Sequence, residues 1–216
     1  CDISKAFDRC WHEALLFKLR ASGIGTTLIN WFKDYLSDRY QCVTIKGQKS
    51  TPGLIHAGVP QGSILGPLLF LVYINDLTNG ISTNIKLFAD DATLYIDFDN
   101  GTDASDALNS DLSYIKQWAD QWLVKFSAEK TKSMTVSFKR NVNLPDIIFN
   151  GKILDVVKSH KHLGLTLSKN LGWEPHVENL LKSVAPMADV LKKLKYRIDR
   201  KSLETIYFTF LRPKLE

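Results

Sequence analysis

The chain has 216 residues, 44% hydrophobic and 24% charged, which is enough apolar material for one large domain or a domain with a small appendage and too much for wholesale disorder. Its net charge of +5 fits a polyanionic partner without requiring one. Three cysteines without a CxxC pair argue against a disulfide framework or zinc site and for a reduced setting, and the longest apolar run, 64–74, falls short of the ~20 residues a membrane helix needs.

The spacing of Leu15, Leu16 and Leu19 predicts a helix over 10–21, and Leu28, Ile29, Phe32 and Leu36 predict another over 26–37. Residues 40–57, rich in Val, Ile and Thr around Lys46-Gly47-Gln48-Lys49, read as a hairpin. Pro67 suits the first turn of a buried helix running to about Leu77. A second hairpin is expected over 85–97. Leu108, Leu112, Ile115, Ala119 and Trp122 then share one stripe of an amphipathic helix over 104–123, with Trp118 and Trp122 expected in the core. Strands are expected at 132–138 and 146–149, a tight turn at Asn150-Gly151 and a short strand from His162 to Leu167. Beyond Trp173 the pattern is helical, with a kink or break expected at Pro186 and a last helix carrying Leu203, Ile206, Tyr207 and Phe210. The composition shift near residue 172 suggests two domains, 1–172 and 173–216. Cys1 opens directly on motif-like sequence and Glu216 follows no polar tail, so both ends read as cuts in a longer reading frame.

The most telling segment is Phe88-Ala89-Asp90-Asp91, two carboxylates at the tip of the apolar hairpin. Asp2 and the glycine-rich turn Gly58-Val59-Pro60-Gln61-Gly62-Ser63 lie upstream. Joining a nucleotide to a 3′-hydroxyl requires stabilising an attacking alkoxide and a leaving pyrophosphate together, which two Mg²⁺ ions ~3.5–4 Å apart can do. Magnesium takes hard oxygen ligands and keeps waters and substrate phosphates, so few carboxylates suffice. Adjacent strand residues point to opposite faces, so Asp90 is expected to take the main role and Asp91 a supporting one. Taken alone, an Asp pair at a hairpin tip is also ordinary turn chemistry.

Three segments together resemble reverse transcriptase. They are Asp2-Ile3-Ser4-Lys5-Ala6-Phe7-Asp8 followed by Trp11-His12, the run from Gly58 to Phe70, and Phe88-Ala89-Asp90-Asp91. Their order and separation are similar to the polymerase core of non-LTR (LINE-type) retrotransposons, nearest the jockey-like branch. The resemblance implies an α+β fold, with a palm of antiparallel sheet and helices on one face, followed by a helical thumb-like region. Fingers are largely absent from it, since little precedes Asp2. That truncation leaves the pairing of the Asp2 strand expected to be incomplete.

The resemblance also implies roles. Asp2, Asp90 and Asp91 would be catalytic and, with the backbone carbonyl of Ile3, would hold two Mg²⁺ ions, Mn²⁺ being a substitute. Ala6, Phe7, Gln61, Gly62 and Lys130 would meet the nucleotide, Phe7 as an aromatic gate against a 2′-hydroxyl and Lys130 as a proton donor to pyrophosphate. His162, Leu163 and Gly164 would support the primer end. Ser127 departs from the family, which often has Asn there. Lys182, Lys192, Lys193, Lys195, Arg197, Arg200 and Lys201 would grip duplex phosphates, although a solvated helix face explains them equally well.

The implied activity is RNA-directed DNA synthesis in the full-length parent. Its partners are an RNA template, a DNA primer and dNTP, with no membrane, in an intracellular setting of cytoplasm and nucleus. The competing readings are an inactive or domesticated domain that binds nucleic acid or a partner protein, and an RNA-synthesising polymerase.

Overall fold

The computed structural model describes residues 1–138 and 145–216. Their packing divides them into two units, one of residues 1–132 and 145–155, the other of 133–138 and 156–216. The secondary structure is mixed, with helices beside small antiparallel sheets. No helix among the described residues is long and apolar enough to cross a membrane.

The first unit begins with an extended segment and a 3₁₀ turn, Ala6–Asp8, then α1 (His12–Ala21) and α2 (Thr26–Leu36). The expected hairpin at 40–57 forms as two nested pairs: β1 (Tyr40–Gln41) lies against β4 (Gly53–Leu54), and β2 (Thr44–Ile45) against β3 (Gln48–Lys49). Its inner turn uses positive φ at both Lys46 and Gly47, the backbone twist that a two-residue hairpin loop requires. α3 (Leu65–Ile74) is not buried all round as expected: it encloses Leu69, Phe70, Tyr73 and Ile74 but leaves Leu68 and Leu71 exposed, and it gives way to a 3₁₀ stretch, Asn75–Gly80. β5 (Asn84–Phe88) then pairs with β6 (Asp91–Tyr95), Leu87 facing Ala92 and Phe88 facing Asp91. α4 (Gly101–Gln121) starts at Asn100, whose side chain accepts from the Thr102 backbone N–H and satisfies one orphan donor of the helix start. Short strands follow: β7 (Lys132–Ser133), β8 (Ile148–Phe149), β9 (Lys152–Ile153) and β10 (Asp155–Val156). The β8–β9 turn is Asn150-Gly151, as expected, both residues with positive φ.

A continuous core of apolar residues joins α1, α2, α3 and α4 to the sheet, with Leu15, Ile29, Leu77 and Ile115 fully enclosed. One charged side chain sits within it. Lys18 of α1 is buried, with Nζ bonded to the Tyr73 carbonyl oxygen and to Asp76 Oδ1, each at 2.6 Å. The ammonium also lies 3.9 Å from the Trp122 ring centroid and 4.7 Å from that of Trp118, so ring faces replace part of its lost hydration. Trp118 and Trp122 are thus core residues, as expected, but core residues that hold a cation.

The second unit contains β11 (Ser159–His162), β12 (Leu165–Ser168), α5 (Glu174–Leu194), α6 (Arg200–Ile206), a π-helical turn Tyr207–Leu211 and α7 (Arg212–Leu215). Three expectations change here and just before. The segment from His162 to Leu167 is not one strand. Leu163 and Gly164 both take positive φ and turn the chain back, so His162 faces Leu165 across a hairpin. The strand expected over 132–138 is confined to Lys132–Ser133. Finally, α5 runs unbroken through Pro186. Proline there removes one backbone hydrogen bond, but the apolar stripes on either side still pack as one helix against β12, α7 and the π-helical turn.

Candidate nucleotidyl-transfer site

Residues 1–4 form the middle rung of the site. On one edge they pair with β6: the Cys1 backbone N donates to the Ala92 carbonyl at 2.6 Å, the Ala92 N–H to Cys1 O at 2.9 Å and the Ile3 N–H to Asp90 O at 3.3 Å. On the other edge the Ser4 N–H donates to Lys125 O at 2.7 Å and the Ser127 N–H to Asp2 O at 2.9 Å. The Asp2 segment is therefore tied on both edges, but through single bridges, Asp2 with Asp91 and Ile3 with Phe126, rather than a continuous ladder. The buried Ile3 side chain anchors the segment in the core.

This register sets Asp2 directly opposite Asp91. Directly opposed residues of an antiparallel pair present their side chains on one face, with Cβ atoms about 4.5–5.5 Å apart. Asp90 occupies the two-residue turn beside them, after Ala89 at a φ of 50°. All three aspartates are half-buried, so each carboxylate keeps access to solvent. Asp2 also receives a cation: Lys130 Nζ lies 3.2 Å from Asp2 Oδ2. The turn that delivers Lys130 is built by Ser127, whose Oγ accepts from the Lys130 N–H and whose carbonyl accepts from the Thr131 N–H and hydroxyl.

The glycine-rich turn is docked on the segment that follows Asp2. The Val59 N–H donates to Phe7 O and the Gly58 N–H to Cys10 O, both at 2.7 Å, and His12 Nε2 bonds Gly58 O at 2.7 Å. Gly58 has a φ of 98°, and a Cβ there would fall 2.8 Å from Phe7 O and 2.9 Å from Asp8 Cα, so only glycine allows this approach. Phe7 is half-buried with its ring centroid 5.0 Å from that of Phe70, while Ala6 beside it is buried. Gln61 and Gly62 are exposed at the tip of the loop. Gln61 Nε2 donates to Asp8 Oδ1 at 2.8 Å, a contact that sequence reasoning missed although Asp8 stands beside Phe7.

Two further groups are placed differently. His162, Leu163 and Gly164 lie at the β11–β12 turn in the second unit, with His160 and His162 on one face of β11. The basic residues of 173–216 are partly matched by acids on their own helices, Lys192 with Asp189 and Arg200 with Glu204.

The donor set suits a hard divalent cation. Asp2 and Asp91 offer oxygens from one face, and magnesium is held by one or two carboxylates when substrate phosphates complete its shell. Among the described residues, no group of three or more His, Cys, Asp or Glu side chains stands close enough to form a cage. The arrangement is therefore an opposed carboxylate pair with Asp90 alongside, open to exogenous ligands.

Comparison with known proteins places these features in context. Residues 1–167 match the family model described as reverse transcriptase (RNA-dependent DNA polymerase). Over 187 residues the chain is 33% identical to the RNA-directed DNA polymerase from mobile element jockey of Drosophila melanogaster, covering 83% of this chain and 20% of that protein. The corresponding jockey protein of Drosophila funebris is 33% identical over 190 residues, 84% of this chain and 20% of its own length. The probable RNA-directed DNA polymerase from transposon BS of Drosophila melanogaster is 31% identical over 215 residues, 95% of this chain and 23% of that protein. The chain thus spans about a fifth of the length of the curated relatives it matches.

Proposed function

The chain belongs to the reverse transcriptase family, in its LINE-type branch, and from that membership we propose that it carries the palm of an RNA-directed DNA polymerase. The proposed reaction extends a DNA 3′ end with dNTP on an RNA template. The observation that carries this reading is the insertion of the Asp2 segment between the Asp90-Asp91 hairpin and residues 125–127. That insertion gathers the carboxylates, the Lys130 ammonium and the Phe7 turn along one short stretch of chain.

In this reading Asp2, Asp90 and Asp91, with the Ile3 carbonyl, hold divalent metal, taken to be two Mg²⁺ ions with Mn²⁺ as a substitute. Bound metal would supply charge stabilisation for the attacking alkoxide and the leaving pyrophosphate. Phe7, braced by Phe70, presses on the sugar where a 2′-hydroxyl would project and so selects dNTP over rNTP. The 58–63 loop presents Gln61 and Gly62 to the nucleotide, with Ala6 packed behind. Lys130 is close enough to Asp2 to reach the same substrate, and it gives up a proton to pyrophosphate. Residues 1–172 act as palm and 173–216 as a thumb-like segment. A groove of about 600 Å³ beside α5 and α6 is lined by Leu191, Leu203, Tyr207 and Phe208 together with Lys192, Lys195 and the paired Arg200 and Glu204, and its two lysines are the groups there that would meet a phosphate backbone. The protein would work in the cytoplasm and nucleus.

Primer extension by the full-length protein that carries this chain tests the proposal. It should incorporate dNTP on an RNA template with Mg²⁺, lose incorporation on Asp90→Asn, and accept rNTP more readily on Phe7→Ala. Binding of an RNA–DNA hybrid with no metal-dependent extension would contradict it and leave a binding domain.

A further inference from the structure

We propose that Asp8 is a positioning residue that sets the side chain of Gln61 for the incoming nucleotide. The inference rests on the polymerase reading and adds to it a residue that contacts no substrate itself.

Main-chain bonds fix the base of the 58–63 loop and, from the Ser63 N–H to Pro60 O at 3.3 Å, close its tip around Gln61, but they leave the Gln61 side chain free to rotate. The Gly58 and Val59 N–H groups reach Cys10 O and Phe7 O, and the loop closes on itself where Ser63 Oγ donates to Pro60 O at 2.7 Å and accepts from the Gly66 N–H at 2.9 Å. Gln61 lies between these anchors, exposed, on a long side chain that a free chain spreads over many rotamers. Its Nε2–H···Oδ1 bond to Asp8, at 2.8 Å, is the contact that selects one of them. With one N–H committed to Asp8, the other N–H and Oε1 of the amide remain for a base or sugar.

Asp8 is well placed to do this. It ends the 3₁₀ turn that also carries Phe7, and its Cα and carbonyl oxygen lie 2.9 Å from where a Gly58 Cβ would be. The gate segment and the loop are therefore in backbone contact, and Asp8 extends that contact to the loop tip. Remote ordering of a binding side chain acts on affinity, since the ordering cost is met before the ligand arrives.

Steady-state dNTP incorporation by the full-length protein tests this with Asp8→Ala, Asp8→Asn and Gln61→Ala, alone and combined. Both Asp8 variants remove the charge, but only Asp8→Asn keeps an oxygen that accepts from Gln61 Nε2. Asp8→Ala should raise the apparent KM for dNTP about fivefold with kcat nearly unchanged, Asp8→Asn should restore most of that loss, and Asp8→Ala should add nothing in the Gln61→Ala background. Equal losses in Asp8→Ala and Asp8→Asn, or additive losses with Gln61→Ala, would overturn the inference while leaving the polymerase reading intact. Absence of incorporation by the unsubstituted protein would overturn both.

Discussion

The two packed units are held together by different means. The first encloses Leu15, Ile29, Tyr73, Leu77 and Ile115 in one core, and even its buried cation, Lys18, is ringed by aromatic faces. In the second, the buried hydrophobic residues among those described are Val184 and Leu211, while Trp173, Tyr196 and Phe208 stand exposed. Its helices carry exposed local ion pairs such as Arg200 with Glu204, which in solvent are individually weak. Placing carboxylates to within a fraction of an ångström demands a packed scaffold, and the candidate site sits on the unit that has one.

The largest effect should come from the site itself. Asp2→Asn should lower incorporation by at least about a hundredfold, whereas Lys193→Ala should lower affinity for a primed template modestly and flatten its salt dependence. Primer-extension rates and binding titrations across salt concentrations would measure both, and a reversed ranking would break the contrast between the units. Next come the cores. Leu15→Ala should cost about 2–5 kcal/mol in urea unfolding, and Val184→Ala in the second unit about 1–2 kcal/mol. Equal losses would mean that the second unit has a core of comparable weight.

Asp111 sharpens the contrast further, because it is a buried carboxylate serving the hairpin rather than the chemistry. Burial alone would raise its pKa, but bonds from the Ser82 N–H, the Thr83 N–H and the Ser82 hydroxyl outweigh burial and hold it below the ordinary 3.8. A carboxylate depressed on folding stabilises fully above its unfolded value, and that contribution is lost as pH falls through the folded one. Asp111→Asn should therefore cost about 1–3 kcal/mol at neutral pH, and the gap from the unsubstituted protein should close in acid unfolding below about pH 4. The smallest effect is expected at Lys130. Its side chain is 65% exposed, so Lys130→Ala should change stability by less than about 0.5 kcal/mol while impairing incorporation. A large loss of stability instead would recast Lys130 as a structural residue.

Periodicity located α1, α2 and α4, because their apolar stripes face one core, while α3 was legible as an apolar run opening near Pro67. The Asp90-Asp91 hairpin and the 58–63 turn were legible for a different reason, namely that their residue types are tied to turns and close approach. What sequence left hidden was long-range or conformational. The partners of Lys18, among them Tyr73, Asp76 and Trp122, lie far along the chain, so a lysine on α1 gives no sign of burial. Leu163 adopts positive φ without being a glycine, which concealed the turn inside 162–167. At Pro186 the helix continues instead of breaking, since tertiary packing keeps α5 in one piece. That Asp2 stands directly opposite Asp91 is a matter of register, which local sequence does not encode.

Whether the aspartates share a divalent cation can be read without any turnover. With Fe²⁺ bound in place of Mg²⁺, added hydrogen peroxide is reduced to hydroxide and a hydroxyl radical that cuts the backbone beside the metal, and added ascorbate returns Fe³⁺ to Fe²⁺. Cleavage should cluster around residue 2 and residues 90–91 and should be suppressed by excess Mg²⁺. Cuts confined to other segments, or cuts that Mg²⁺ leaves unchanged, would show that these carboxylates do not share a metal.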